Sequence, residues 1–128
     1  STLKSAATQA NMSTARKHIC VRAHGELRLI PIADIRSFRA DQKYLTVNHV
    51  NGQDLIDESL TTLALEFGDD FVRIHRGALV AIRYVERVEK TSDGRSLVIL
   101  RGDSQVDDNE LIISRRHLAE ARRRLKGV

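Results

Sequence analysis

The sequence predicts a mostly β fold, stacked antiparallel sheets carrying one short internal helix and a second helix at the C-terminus. Three observations carry this. Short apolar segments recur with turn signals every several residues. Helical spacing replaces that pattern only after Ser59 and after Ser114. Strands do not alternate with helices as a parallel α/β sheet requires.

The elements follow in order. Residues 1–17 are rich in Ser, Thr, Ala and Gln, have little apolar period, and read as a flexible linker ahead of a domain spanning 18–128. Ile19, Val21 and Ala23 alternate with polar neighbours, a Gly25-Glu26 turn follows, and Leu27, Leu29 and Ile30 complete a hairpin that Pro31 ends. Ile35 to Arg39 and Tyr44 to Val50 form a second pair whose loop tip is Asp41 to Lys43. Asn51-Gly52 then signals a hairpin into Gln53 to Asp57. Ser59 or Thr61 caps a helix in which Leu60, Leu63, Ala64 and Phe67 recur at helical spacing, and Gly68 closes it. That face is one made for packing on a sheet.

Phe71 to Ala81 is the organising stretch. Phe71, Val72 and Ile74 anchor a strand whose basic tip, His75-Arg76, runs into Gly77, a residue that allows backbone geometry others resist. Leu79, Val80 and Ile82 then resume the buried run. Arg76 stands at a rigid strand end, its planar fork suited to phosphate or to the acceptor edge of guanine. The same residues read equally as a surface arginine beside a core strand. Val85 to Lys90 is a weaker strand, Ser92-Asp93-Gly94 a turn, Leu97 to Leu100 a buried strand, and Gly102-Asp103 a further turn. Leu111 to Ile113 is the last strand. Ser114 caps a helix with Leu118, Ala121 and Leu125 on one face and Arg115, Arg122 and Arg123 elsewhere.

The 128 residues, 41% hydrophobic and 30% charged, suit one compact domain with a real core. No run of about 18 apolar residues could span a membrane. The N-terminus also lacks a signal-peptide layout, so a cytoplasmic location is expected. The lone Cys20 cannot form an internal disulfide, and its strand setting suggests a small buried residue. The net charge of +4 is uneven. Residues 1–17 hold Lys4, Arg16 and Lys17 and no acid, and residues 114–128 hold six basic side chains against Glu120. Basic ends on an acidic middle can present one positive surface to a polyanion.

No catalytic constellation is legible. The five histidines, His18, His24, His49, His75 and His117, lack ligand spacing, and one cysteine excludes the familiar zinc patterns, so no metal or cofactor is expected. P-loop, dinucleotide and nucleophile-elbow motifs are missing. The acid pairs Asp69-Asp70 and Asp107-Asp108 sit in turns, where solvated carboxylates are the ordinary reading. What remains is a set of loop-borne donors: Lys43 and Tyr44, His75 and Arg76, Arg115 and Arg116. Aromatic residues are only 4% with no Trp, so a stacking platform for single strands is poorly supported and duplex DNA is the better target.

Three ordered blocks resemble a known family. Phe71, Arg73, His75, Arg76, Leu79 and Val80 follow the pattern F-x-R-x-H-R/N-S-x-L/V-V-N of the LytTR family of bacterial DNA-binding domains. Ile35-Arg36-Ser37-Phe38 leading through Asp41-Gln42-Lys43 to Tyr44-Leu45-Thr46-Val47 is the second block, and Leu111 to His117 the third. The resemblance covers about residues 18 to 126 and departs at Gly77, where the family has serine, and at Ala81, where it has asparagine. It implies a β sandwich whose loops enter successive major grooves and bend the duplex. Tyr44, Arg76 and Arg115 then fall on base-contacting positions, with Lys43, His75 and Arg116 at phosphate or flanking contacts. It further implies an N-terminal receiver domain in the full-length chain, and promoter DNA bound by a second copy on tandem half-sites. An alternative from the charge pattern alone is a protein-interaction module docking an acidic partner through the basic helix Arg115 to Lys126.

Overall fold

The structure, a computed structural model, describes residues 15–102 and 111–126. Ten strands are described: β1 (His18–Ala23), β2 (Glu26–Pro31), β3 (Ile35–Ala40), β4 (Leu45–His49), β5 (Gly52–Ile56), β6 (Phe71–His75), β7 (Ala78–Ala81), β8 (Val85–Lys90), β9 (Ser96–Leu100) and β10 (Ile112–Ile113). Helix α1 (Leu60–Glu66) lies between β5 and β6, and α2 (Arg115–Leu125) follows β10. All strand pairings among the described residues are antiparallel. A central five-stranded sheet runs β5-β4-β3-β7-β6, flanked by the β1-β2 hairpin and by a three-stranded sheet β10-β9-β8. The expected stack of antiparallel sheets with two helices is what forms.

At β6 and β7 the central sheet is buried on both faces, which explains why apolar residues stand at consecutive positions there, Phe71-Val72 and Ala78 to Ala81. On one face Phe71, Leu79 and Ala81 join Phe38, Val47, Ile19, Ile30 and the α1 residues Leu60, Leu63 and Phe67. On the other, Val72, Ile74, Ala78 and Val80 meet Val98, Leu100, Ile113 and Ala121 of the smaller sheet and α2. Phe71 anchors the first core with ring centroids 5.3 Å from Phe38 and 6.3 Å from Phe67. Burying a side chain of that size contributes about 1.5–3 kcal/mol. Ser59 caps α1 by accepting from the Thr62 N–H, and Leu60, Leu63 and Phe67 face inward as their spacing requires.

Several local expectations are corrected. The first hairpin turns at His24–Gly25, one residue earlier than Gly25-Glu26, and both turn residues have positive φ, 54° and 77°, as a two-residue hairpin turn demands. In the second hairpin His49 pairs with Gly52, so the turn is Val50–Asn51 rather than Asn51-Gly52. Cys20 is exposed, not buried. With Ile19 and Val21 committed to the core, strand alternation turns the residue between them outward. Gly77 is absent from the positive-φ glycines, Gly25, Gly52, Gly94 and Gly102, so unusual backbone geometry is not its role. The Gly102-Asp103 turn keeps only Gly102 among the described residues, and the Asp107-Asp108 pair lies outside them.

Of the segment expected to be a linker, residues 1–14 lie outside the described residues. The last three residues touch the body. Ala15 packs against the first core, the Lys17 carbonyl accepts from Ile32 N–H at 2.9 Å, and Arg16 bridges Glu58 and Glu66, each at 2.8 Å.

Candidate nucleic-acid interface

Three chain segments that carry the candidate residues are stitched together by main-chain hydrogen bonds. The loop after β3 is a tight turn in which Asp41 N–H donates to Tyr44 O at 2.8 Å and Gln42 N–H donates to the Asp41 carboxylate. It is tied to the β6–β7 turn because Ala40 N–H donates to Gly77 O at 2.8 Å. The start of α2 is tied to the same strand end, since Ser114 N–H donates to Ile74 O at 2.8 Å. The β6–β7 pairing shifts register between Arg73 and His75. Ile74 sits at that bulge, where local ladder bonding is interrupted and the strand bends. Lys43 and Tyr44 in a loop, His75 and Arg76 at a strand end, and Arg115 and Arg116 at the start of α2 therefore stand on three segments joined by main-chain bonds. Lys43, Tyr44, Arg76, Arg115 and Arg116 are all exposed, whereas His75 is half-buried.

The turn at Arg76–Gly77 is fixed from both sides. Gly77 N–H donates to His75 Nδ1 at 3.0 Å, so this ring nitrogen is the acceptor while the bond holds. Arg73 donates from Nη2 to the Arg76 carbonyl at 2.8 Å and from Nε to the His75 carbonyl at 3.3 Å. Gly77 matters for space: a Cβ there would lie 3.3 Å from His75 Cε1. Across the gap, Ser114 Oγ bonds His117 Nδ1 at 2.8 Å. Ser114 occupies the helix N-cap position as expected, but its hydroxyl makes no capping bond and is engaged with the imidazole instead.

The cations of this edge make no carboxylate contact among the described residues, a property they share with Arg83 and Arg122 elsewhere on the surface. Arg16, Arg28, Arg87, Arg95 and Arg123 each pair with a carboxylate, whereas no ion pair of Lys43, Arg73, Arg76, Arg115 or Arg116 is found among the described residues. Burial and the Arg73 charge hold His75 below the ordinary imidazole range. Burial, then Arg73, Arg116 and His75, do the same for His117. Arg73 and His117 thus belong to the cluster although sequence reasoning gave neither a role. The available signal was strand alternation for Arg73, two residues before His75, and a position two residues after Arg115 for His117. Arg124 leaves the set of free charges at the far end of α2, because it donates to the carbonyls of Phe71 at 3.0 Å and Asp69 at 3.2 Å. No group of His, Cys, Asp and Glu suited to a metal is found, and no helix is long and apolar enough to cross a membrane, among the described residues.

The structure is thus a stack of antiparallel sheets with a cationic edge that has no carboxylate partner among the described residues. The chain belongs to the LytTr DNA-binding domain family, whose model matches residues 25–126. It is 44% identical over 111 residues to the positive alginate biosynthesis regulatory protein of Pseudomonas aeruginosa, covering 87% of this chain and 44% of that relative. The chain therefore spans less than half of that protein's length. A LytTr DNA-binding domain from Bacillus cereus shares the fold with a TM-score of 0.74 and 16% identity, covering 89% of this chain and all of that one.

Proposed function

We propose that the chain is the sequence-specific, double-stranded DNA-binding output domain of a two-component transcriptional regulator, with loops entering successive major grooves and bending the duplex. One observation carries this reading: main-chain hydrogen bonds join three separate basic segments, on which Lys43, Arg76, Arg115 and Arg116 are exposed and make no ion pair among the described residues. Tyr44, Arg76 and Arg115 read base edges, the arginines by forked donors. Lys43, His75 and Arg116 hold phosphate or flank it, and such contacts set register without carrying sequence information. The full-length protein carries an N-terminal receiver domain, and two copies bind tandem half-sites on promoter DNA in the cytoplasm. The 44% identity to an alginate regulator supports control of genes of that kind.

A gel shift at physiological salt compares promoter DNA with random duplex. Preference for the promoter is expected, and equal affinity for both overturns the reading. The second reading, an interaction module docking an acidic partner through α2, has one observation in its favour. A groove of about 650 Å³ between α2 and the small sheet is lined by Val88, Ile113 and Leu125 with Lys90, Arg122 and Lys126 around them. The same gel shift separates the two, because an interaction module shows no sequence preference.

A further inference from the structure

We propose that Arg73 is the positioning residue of the β6–β7 turn, holding the main chain of His75 and Arg76 so that Arg76 is presented to DNA in one orientation. This rests on the function proposed above and adds to it a residue that acts through Arg76. The side chain of Arg76 is exposed and no ion pair holds it among the described residues, so its direction depends on the backbone that carries it. That backbone lies beside a bulge, between Arg73 and His75, where regular ladder bonding is interrupted. Arg73 supplies restraint there, its Nη2 on the Arg76 carbonyl at 2.8 Å and its Nε on the His75 carbonyl at 3.3 Å. Two acceptors on consecutive residues match a planar fork, which a lysine ammonium cannot reproduce. Two further restraints act on the next residue, Gly77, through His75 Nδ1 and Ala40 N–H. Together they leave the turn ordered before DNA arrives, which lowers the entropy lost on binding.

The test compares Arg73→Lys, Arg73→Gln, Arg76→Ala and the two double variants. The probes are a duplex enriched from a random pool by the parent chain and an unselected duplex of equal length. Melting and amide-resolved NMR relaxation at Arg76 and Gly77 are recorded for each protein. Failure of the parent to enrich any sequence defeats the proposed function itself, before Arg73 is examined. Given enrichment, Arg73→Lys and Arg73→Gln are both expected to lower the enriched-to-unselected affinity ratio by about fivefold to tenfold. Fast backbone motion at Arg76 and Gly77 should increase, and little further loss of ratio should appear once Arg76 is already Ala. Full retention of the ratio by Arg73→Lys overturns the proposal, as charge alone then suffices. Equal loss on both duplexes also overturns it, marking a phosphate contact, as does a loss that simply adds to that of Arg76→Ala. If Arg73→Gln melts too low to assay, Arg73→Lys and the relaxation data decide, and unchanged motion at Arg76 and Gly77 refutes the positioning role.

Discussion

Ala40 N–H donates to the carbonyl of Gly77 at 2.8 Å, joining the loop that carries Lys43 and Tyr44 to the turn that carries Arg76. Two strand ends thirty-odd residues apart are thus bonded to each other, and a disturbance at Gly77 is expected to reach both.

Gly77→Ser, which restores the family's usual residue, tests this coupling. The added Cβ lies 3.3 Å from His75 Cε1 and 3.5 Å from Nδ1, so the ring must yield by a few tenths of an ångström. The Gly77 N–H bond to Nδ1 should weaken, at a cost of about 0.5–1.5 kcal/mol. Urea unfolding measures the cost and the His75 ring resonances report the displacement. Unchanged stability with unmoved resonances would show that the turn absorbs a side chain freely.

The imidazoles give opposite pH trends for folding and for binding. His75 and His117 are both held below the ordinary 6.5, so near that pH the unfolded chain binds more protons than the folded one. Their contribution to stability is complete above about 6.5 and is lost as pH falls through the lowered folded values. Asp54 and Glu66 act in the same direction further into acid. Burial alone would raise Asp54, but bonds from His49 and Arg28 outweigh it, and the Arg16 bonds dominate at Glu66. Phosphate beside His117 favours its charged form, so DNA affinity should rise over the window in which stability falls. Melting temperature and affinity measured from pH 7.5 to 5.5 check both signs, and His117→Gln should flatten both curves. Affinity that falls together with stability would remove phosphate from the vicinity of these rings.

Arg16 sets where the chain begins to matter for folding. Its guanidinium bridges Glu58 and Glu66 and its own N–H reaches Glu66 at 2.8 Å. The side chain is 41% exposed, so solvent screening limits the network to about 1 kcal/mol. Removal of residues 1–14 should leave the melting temperature unchanged, whereas removal of 1–17 should lower it by a few degrees. Identical melting of the two truncations would assign the contacts no weight.

The parts of the fold legible in sequence are those set by local pattern. Phe71 to Ala81 reads as a core strand pair because it is apolar on both faces, and α1 reads as a helix because Leu60, Leu63 and Phe67 recur on one side. Turn positions were less legible, since pairing register decides them: His24 takes positive φ and Val50–Asn51 turns because the partner residues across the strands demand it. The candidate site was legible as a list of cations and not as a place. Its assembly depends on the Ser114–Ile74 and Ala40–Gly77 bonds, which join residues 37 to 40 positions apart. Nor could periodicity tell Arg124, spent on carbonyls of Phe71 and Asp69, from its exposed neighbours Arg122 and Arg123.

That distinction yields the sharpest division among the arginines. If Arg76 and Arg115 read base edges, alanine at either should cost about 1–3 kcal/mol on the specific site and little on random duplex. Arg122 lies seven residues further along α2, so Arg122→Ala should weaken specific and random binding alike and flatten the salt dependence, each neutralised phosphate contributing a slope of about −0.9. Arg123 is already shared with Glu120, and its replacement should do less than that of Arg122. Arg124→Ala should act mainly through the fold, lowering stability by about 1–2 kcal/mol through the carbonyls it leaves unbonded. Affinity on both duplexes at three salt concentrations, with melting of each variant, separates the classes. Loss of stability in Arg76→Ala with an unchanged specific-to-random ratio would make Arg76 a prop of its turn and leave base reading to other residues.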